Sequence, residues 1–263
     1  MTGRPVRERC ALAGLAAQRW RPDVPAGPPV LLLHGAMDRA DSFARTARRL
    51  DGRDVVAVDR RGYGGSAGSG PTDVAGHADD VCAVLDELGG GWVLGGHSLG
   101  GTVALAAAAS GHPGVLGVAM FESPAPWLEP DALARVGGGA LQVADVDGPN
   151  DAAEFFFRLM VGDDAWNRLG EPFRSARRAE GPALVAELRD LASGRVLADL
   201  SAVHVPVSVG HGAARGDLYR QGLLVAGALG VAEVVELEAA PHGVHLVAPD
   251  AFAGFVGKVG AWR

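Results

Sequence analysis

Short apolar runs alternate with helix-forming stretches along most of this chain, and no other feature limits its fold as strongly. The runs are "PVLLLHG" (29–35), "DVVAVDRRG" (54–62), "GWVLGG" (91–96), "VLGVAMFE" (115–122), "VPVSVGH" (205–211) and "VAEVVELEA" (231–239). Each is short, rich in β-branched residues or Leu, and bounded by Gly, Pro or charge, which is how a strand buried on both faces of a parallel sheet reads. Between them lie "DSFARTARRL", "DVAGHADDVCAVLDELG", "GTVALAAAAS" and "YRQGLLVAGALG". In the second of these, Val74, Val81, Val84, Leu85 and Leu88 fall near one helical face. Strand and helix in alternation predict an α/β fold, a mostly parallel sheet with helices on both faces.

The alternation breaks once. From Trp127 to Leu200 the chain is helical and polar, with "AEFFFRLMVGDDAW" and "RRAEGPALVAELRDLASGR" and no strand pattern. An insertion at the carboxyl ends of parallel strands lies over the place where open α/β sheets hold their ligands. Residues 127–200 are therefore expected to form a helical cap, with 1–126 and 201–263 as the core. A helical side-layer that only enlarges the core is the alternative, because Phe155, Phe156 and Phe157 also suit packing.

Length and composition agree with one large domain carrying an insert: 263 residues, 48% hydrophobic and 21% charged. The 24 basic and 31 acidic residues leave a net charge of −7, without a dense Lys/Arg cluster. Nucleic acid and anionic membrane are thereby excluded as expected partners, and a small-molecule substrate remains; nothing in the sequence specifies an oligomeric state. Schiff-base chemistry has one candidate, Lys258, outside any expected pocket. Cys10 and Cys82 are too few for a disulfide framework or a zinc site and suit a reducing compartment. "MTGRPVRERCALAGL" has no signal-like apolar stretch, and no run approaches the ~20 apolar residues of a membrane span, so a cytoplasmic location is expected.

The stretch "GGHSLGG" (95–101) places one hydroxyl nucleophile among glycines where a strand run ends and a helix run begins. Gly96, His97, Ser98, Leu99 and Gly100 form GxSxG. A sharp strand-to-helix turn strains the serine backbone and brings neighbouring elements close to the positions two before and two after it, where only glycine leaves room. The turn lifts the Ser98 hydroxyl above the sheet edge. It also sets the Leu99 N–H at a helix start, where it can meet a developing oxyanion.

Four motifs in order, "LLLHGAMD", "VVAVDRRGYGGS", "GGHSLGG" and "AAPHGVHLVAPDAF", resemble the α/β-hydrolase family over almost the whole chain. The resemblance implies a central sheet of eight strands, the first two drawn from residues 6–20, and a Ser, acid, His triad. It implies that the residue after the His-Gly of the third strand supplies a second oxyanion N–H, here Ala36, with Met37 as the fallback. It makes His34 a structural residue of that loop. It also assigns the general base to His242, the first histidine of "PHGVHLVAP", since imidazole takes a hydroxyl proton near neutral pH. His245 is expected to pack or to line the pocket. As metal ligands at i and i+3, His242 and His245 have no third ligand cluster, so no metal is expected. His77, His97, His112, His204 and His211 are read as surface or structural residues, and Asp59 with its neighbouring glycines as the shape of a turn.

The acid departs from the common pattern of the family, which places it three residues beyond a glycine after the seventh strand. In "VGHGAARGD" that step from Gly212 reaches Arg215, and Asp217 comes two residues later. Glu122, in "VAMFESPAPW", stands at the end of the sixth strand, and some members with a similar sequence carry the acid there. What the chemistry needs is a carboxylate that orients the imidazole, whichever neighbouring strand supplies it. Glu122, Asp217 and a site without a carboxylate all stay open at this point.

Trp127, Met37, Phe43 and Trp166 are candidates for an acyl pocket, with core packing as their alternative. The charges of "RRAEGPALVAELRDL" are expected on a solvated helix face, and the "GGG" stretches at 89–91 and 137–139 lack a phosphate-cradling pattern. The function expected is a serine hydrolase that cleaves a small or medium carboxylic ester or thioester through an acyl-enzyme, without a cofactor. A cofactor-free lyase, an acyltransferase or a perhydrolase on the same site is one alternative. A hydrolase-shaped small-molecule binding protein is another. Dehalogenase and epoxide hydrolase members of the family would carry Asp where Ser98 stands.

Overall fold

A computed structural model describes residues 6–230 and 233–259, so Val231 and Ala232 of the last apolar run lie outside the described residues. Eight strands form one sheet in the order β1-β2-β4-β3-β5-β6-β7-β8. β1 (Val6–Leu12) and β2 (Leu15–Arg21) make an antiparallel hairpin, and β2 pairs antiparallel with β4 (Val55–Val58). The hairpin turns on Ala13 and Gly14 at φ 48° and 79°, two left-handed residues whose twist matches the flanking strands. The rest of the sheet, β3 (Val30–Leu33), β4, β5 (Trp92–His97), β6 (Val115–Phe121), β7 (Val207–His211) and β8 (Glu233–Glu236), is parallel.

Period-two alternation explains why these runs are apolar throughout. Leu31, Leu33, Val56, Val58 and Leu94 pack on one face with helices Val74–Leu88 and Leu99–Ala109. Val30, Leu32, Val55, Val93 and Ala119 pack on the other with Phe252, Phe255 and Val256 of helix Pro249–Lys258. The helix Leu99–Ala109 has no polar face, because it is buried on all sides between the sheet and its neighbours.

Between β6 and β7 the described chain is helical, with Ala140–Val146, Pro149–Val161, Asp163–Arg168, Glu171–Ala179 and Gly181–Ala192. One expectation for this segment needs correction. The acidic residues of "RRAEGPALVAELRDL" do not face solvent: Glu180, Glu187 and Asp190 are all buried. The helix Gly181–Ala192 is packed on more than one side, with Leu184, Leu188 and Leu191 in the core and Glu187 against Arg60. Asp190 accepts a hydrogen bond from the Val74 N–H at 2.9 Å, meeting a donor that the start of helix Val74–Leu88 leaves free. No described helix is long and apolar enough to cross a membrane.

Candidate active site

β5 ends at His97 and a helix begins at Leu99, so Ser98 carries the whole turn, at φ 52° and ψ −131°. Such a conformation is costly for a residue with a side chain and persists only where packing enforces it. The enforcement is visible at the flanking glycines. A Cβ on Gly96 would stand 2.3 Å from Gly101 Cα, and one on Gly100 would stand 2.1 Å from the Leu33 carbonyl oxygen. Leu99 is the first residue of the helix, and the N–H groups of a first turn have no partner within the helix.

The loop after β3 runs beside this turn. Its residue His34 is fully buried, and burial, aided by the charge of Arg60, pushes its pKa down to about 3. The ring is therefore neutral. His34 Nε2 accepts from the Arg60 backbone N–H at 2.9 Å, which leaves the proton on Nδ1 to donate to the Gly35 carbonyl at 2.7 Å. Ala36 follows, and it borders the same cavity as Ser98, Leu99 and His242.

Glu122 stands just beyond β6 at a left-handed φ of 43°. Its Oε2 accepts from His242 Nδ1 at 2.7 Å, and its Oε1 accepts from the Gly212 N–H at 2.9 Å. Burial alone would raise the Glu122 carboxyl, but the His242 ring and the Gly212 amide outweigh it and hold the group below its ordinary range. Gly212 has to be glycine, since a Cβ there would lie 1.9 Å from the Ala240 carbonyl oxygen. Asp217 is engaged elsewhere: it opens helix Asp217–Leu229 and pairs with Arg135 Nε at 2.8 Å and with Arg220. Arg215 pairs with Glu236 at 2.8 Å. The geometry thus brings Glu122, and not Asp217, to His242.

Three further residues, whose place the sequence does not reveal, surround the His242 loop. His97 Nε2 donates to the His242 carbonyl at 2.7 Å, and His245 Nε2 donates to Asp38 Oδ2 at 3.0 Å. These bonds join the serine turn, the loop after β3 and the loop that carries His242. Burial, with the neighbouring His245 and His242 rings, holds the His97 pKa well below its ordinary value, so that ring stays neutral. Asp38, His97 and His245 bring ligand-type atoms within 4.8 Å of one another, a grouping that the His242–His245 spacing alone lacked. Both Nε2 atoms of that trio are already engaged in the bonds just described.

Ser98 and His242 open onto a cavity of about 240 Å³. Its walls are mainly apolar, from Pro124, Val136, Phe156, Met160, Leu188 and Leu191, with Arg135, Asp217 and Gln221 as the polar groups. Met37, Phe43, Trp127 and Trp166 are not brought to it. Phe43 is core, stacked 6.0 Å from Phe252. Trp166 is buried 5.4 Å from the Phe157 ring, with the Arg158 and Arg178 guanidinium groups at 5.7 and 5.3 Å. Met37 is buried with its carbonyl bound to Arg177, and Trp127 packs half-buried against the core. Large apolar side chains pack wherever volume is needed, so size alone does not mark a wall. The usable signal is spacing: Phe156 with Met160, and Leu188 with Leu191, repeat at helical intervals.

Comparison with known proteins agrees with this architecture. The family model described as "Alpha/beta hydrolase family" matches residues 30–255. The chain is similar to Lipase LipV of Mycobacterium tuberculosis, 29% identical over 167 residues, which is 63% of this chain and 61% of LipV. It is also similar to the sn-1-specific diacylglycerol lipase ABHD11 of Xenopus laevis, 37% identical over 86 residues, 31% of this chain and 28% of that protein. The chain thus spans less than two thirds of the length of these curated relatives. Among solved structures, an alpha/beta hydrolase from Sphaerobacter thermophilus superposes with a TM-score of 0.68 at 26% identity, covering 96% of this chain and 99% of that one. A thermophilic esterase from Thermogutta terrifontis shares the fold with a TM-score of 0.67 at 22% identity, covering 97% and 99%. A matched sheet order, a glycine-walled serine turn and a family model spanning most of the sequence lead to one assignment: the chain belongs to the alpha/beta hydrolase family.

Proposed function

We propose that this protein is a serine hydrolase that cleaves small or medium carboxylic esters or thioesters through an acyl-enzyme. The observation that carries the reading is the 2.7 Å contact between Glu122 and His242 Nδ1, beside a cavity shared by His242 and Ser98. With Nδ1 donating to the carboxylate, His242 presents Nε2 as the free base. His242 takes the Ser98 proton as Oγ attacks the acyl carbon, and the tetrahedral oxyanion is received by the N–H groups of Leu99 and Ala36. The protonated ring returns its proton to the departing alcohol or thiol. Water, activated by the same ring, then releases the acid and restores Ser98.

Residues 127–200 act in this reading as a cap over the core of 1–126 and 201–263. Phe156, Met160, Leu188 and Leu191 of that segment wall the cavity, which favours an apolar acyl group. The similarity to LipV and to the sn-1-specific diacylglycerol lipase ABHD11, both lipases by name, supports the reaction class.

A fluorophosphonate probe tests the assignment. Mass spectrometry is expected to find the adduct on Ser98, to lose it in Ser98→Ala, and to find it suppressed by a competing ester. A protein that turns over esters with Ser98 unlabelled and dispensable would overturn the reading.

A further inference from the structure

Glu187, in the middle of helix Gly181–Ala192, is fully buried, and the reaction above does not use it. Its Oε1 accepts from Arg60 Nη1 at 2.5 Å and from His77 Nε2 at 2.8 Å, and its Oε2 accepts from the Tyr63 hydroxyl at 2.7 Å. Arg60 is itself only 2% exposed. A buried ion pair of this kind often contributes no more stability than an apolar pair of the same volume, so stability alone is a weak reason for it.

The remaining groups of Arg60 point to another reason. Its Nε–H donates to the His34 carbonyl at 2.8 Å, and its backbone N–H donates to His34 Nε2 at 2.9 Å. With Nε2 occupied as an acceptor, His34 uses Nδ1–H to hold the Gly35 carbonyl at 2.7 Å. The Gly35 carbonyl and the Ala36 N–H belong to one planar trans peptide and point in opposite directions. A bond that fixes the carbonyl therefore also aims the N–H. A second strut reaches the loop from helix Glu171–Ala179, where Arg177 Nη1 donates to the Met37 carbonyl at 2.8 Å. Met37 holds a left-handed φ of 58°, a conformation that relaxes unless something outside the loop holds it. Arg177 is steadied in turn by Glu180 at 3.3 Å, and Glu180 also takes Arg39 at 3.0 Å.

We propose that Glu187 and Arg177 are positioning residues: Glu187, acting through Arg60 and His34, locks the peptide that carries the Ala36 N–H, and Arg177, through the Met37 carbonyl, holds the stretch of loop that follows it. The oxyanion hole is then complete only while the helical cap is docked. This rests on Ala36 being an oxyanion donor, as in the reading above. Cap and chemistry are coupled through the backbone of one loop.

Two variants test the coupling. Arg60→Met combined with Glu187→Met removes the charge pair while keeping apolar volume, a change that folded proteins commonly tolerate. Arg177→Met removes the other strut from a half-buried position. Each is expected to lower kcat on an activated ester about tenfold, short of the roughly 10²–10³ lost when an oxyanion donor is deleted outright, with KM within about twofold of the parent. Binding of an alkyl boronic acid, whose tetrahedral adduct on Ser98 mimics the intermediate, is expected to weaken by the same factor as kcat falls, while binding of the matching carboxylic acid product stays unchanged. Full kcat in a folded variant, or equal losses for boronate and carboxylic acid, overturns the proposal. If the double variant does not fold at the assay temperature, Arg177→Met decides by the same readout. A parent enzyme that forms no tetrahedral adduct by boron NMR overturns the hydrolase reading and this proposal with it; a parent that forms one which the variants bind as tightly overturns this proposal alone.

Discussion

Where β5 meets helix Leu99–Ala109, the contacts are apolar or backbone; where the helical segment 127–200 meets the rest of the chain, many of them are ionic. At the first junction Leu99, Val103, Ala104, Leu105 and Ala107 are buried against the sheet. At the second, Glu187 meets Arg60, Glu180 meets Arg39 and Arg195 meets Asp73. Apolar packing is non-directional and insensitive to pH, and it holds the serine turn in its strained form whatever the solvent does. Charged hydrogen bonds are directional and titrate, so they set an orientation that conditions can change. On the proposed reading, Ser98 thus stands on the junction that does not adjust, while Phe156, Leu188 and Leu191 of the cavity wall belong to the segment held by the one that does.

If that division is right, the largest losses come from the core. Ser98→Ala is expected to lower kcat on an activated ester by about 10⁶-fold, with near-UV circular dichroism unchanged, because one hydroxyl is removed from an already enforced turn. A cap variant that folds and loses as much would break the comparison.

Next in size is the carboxylate. Glu122→Gln is expected to cost up to about 10⁴-fold in kcat, because the amide cannot stabilise the imidazolium and favours the wrong tautomer. Asp217→Asn, whose carboxylate is engaged by Arg135 and Arg220, should leave kcat near the parent's. The reverse order, measured on one ester, would move the acid from β6 to the start of helix Asp217–Leu229.

Acid should act through the buried ionisable groups and leave the apolar junction untouched. His34 has its folded pKa lowered from 6.5 to about 3, so below pH 6.5 the unfolded chain binds the extra proton and stability falls as pH drops toward 3. By pH 5 that residue alone accounts for about 2 kcal/mol. Glu187 has its folded pKa held down from 4.5 to about 2: burial opposes this, and Arg60 and His77 outweigh it. Its contribution is present above pH 4.5 and is lost as pH falls from there toward 2. Urea midpoints followed between about pH 7 and pH 4 should therefore decline first through the buried neutral histidines, His34 and His97 in the core and His77 beside Glu187, before the Glu187 carboxylate itself titrates. A midpoint flat down to pH 5 would mean that His34 is not buried in its neutral form.

The smallest effect tests the walls. Phe156→Ala should shift relative kcat/KM between short and long acyl groups by about tenfold, while Trp166→Phe, remote from the cavity, should leave the preference unchanged. Equal responses from the two would remove the distinction between wall and filler within the cap.

Local signals were legible in the sequence because they report on near neighbours. Alternating apolar runs identified β3 to β8, and the glycines at 96 and 100 marked a turn where any Cβ would collide with backbone. The loop of His242 was legible as a motif. The pocket was not, since Trp166 and Phe156 have similar hydrophobic weight and only packing puts one in the core and the other on a wall. Nor was the burial of Glu187, which in sequence looks like any solvated helix charge.

The sequence by itself determined the parallel strands and the strained serine turn, because periodicity, β-branching and the missing Cβ of glycine act within a few residues. Only the tertiary structure decided which carboxylate reaches His242 and which charges hold the loop after β3. Those partners lie 120 residues apart for Glu122 and His242 and 127 apart for Arg60 and Glu187. At such separations a hydrogen bond depends on how β6, the loop after β4 and the cap helix pack together, and no local pattern carries that information.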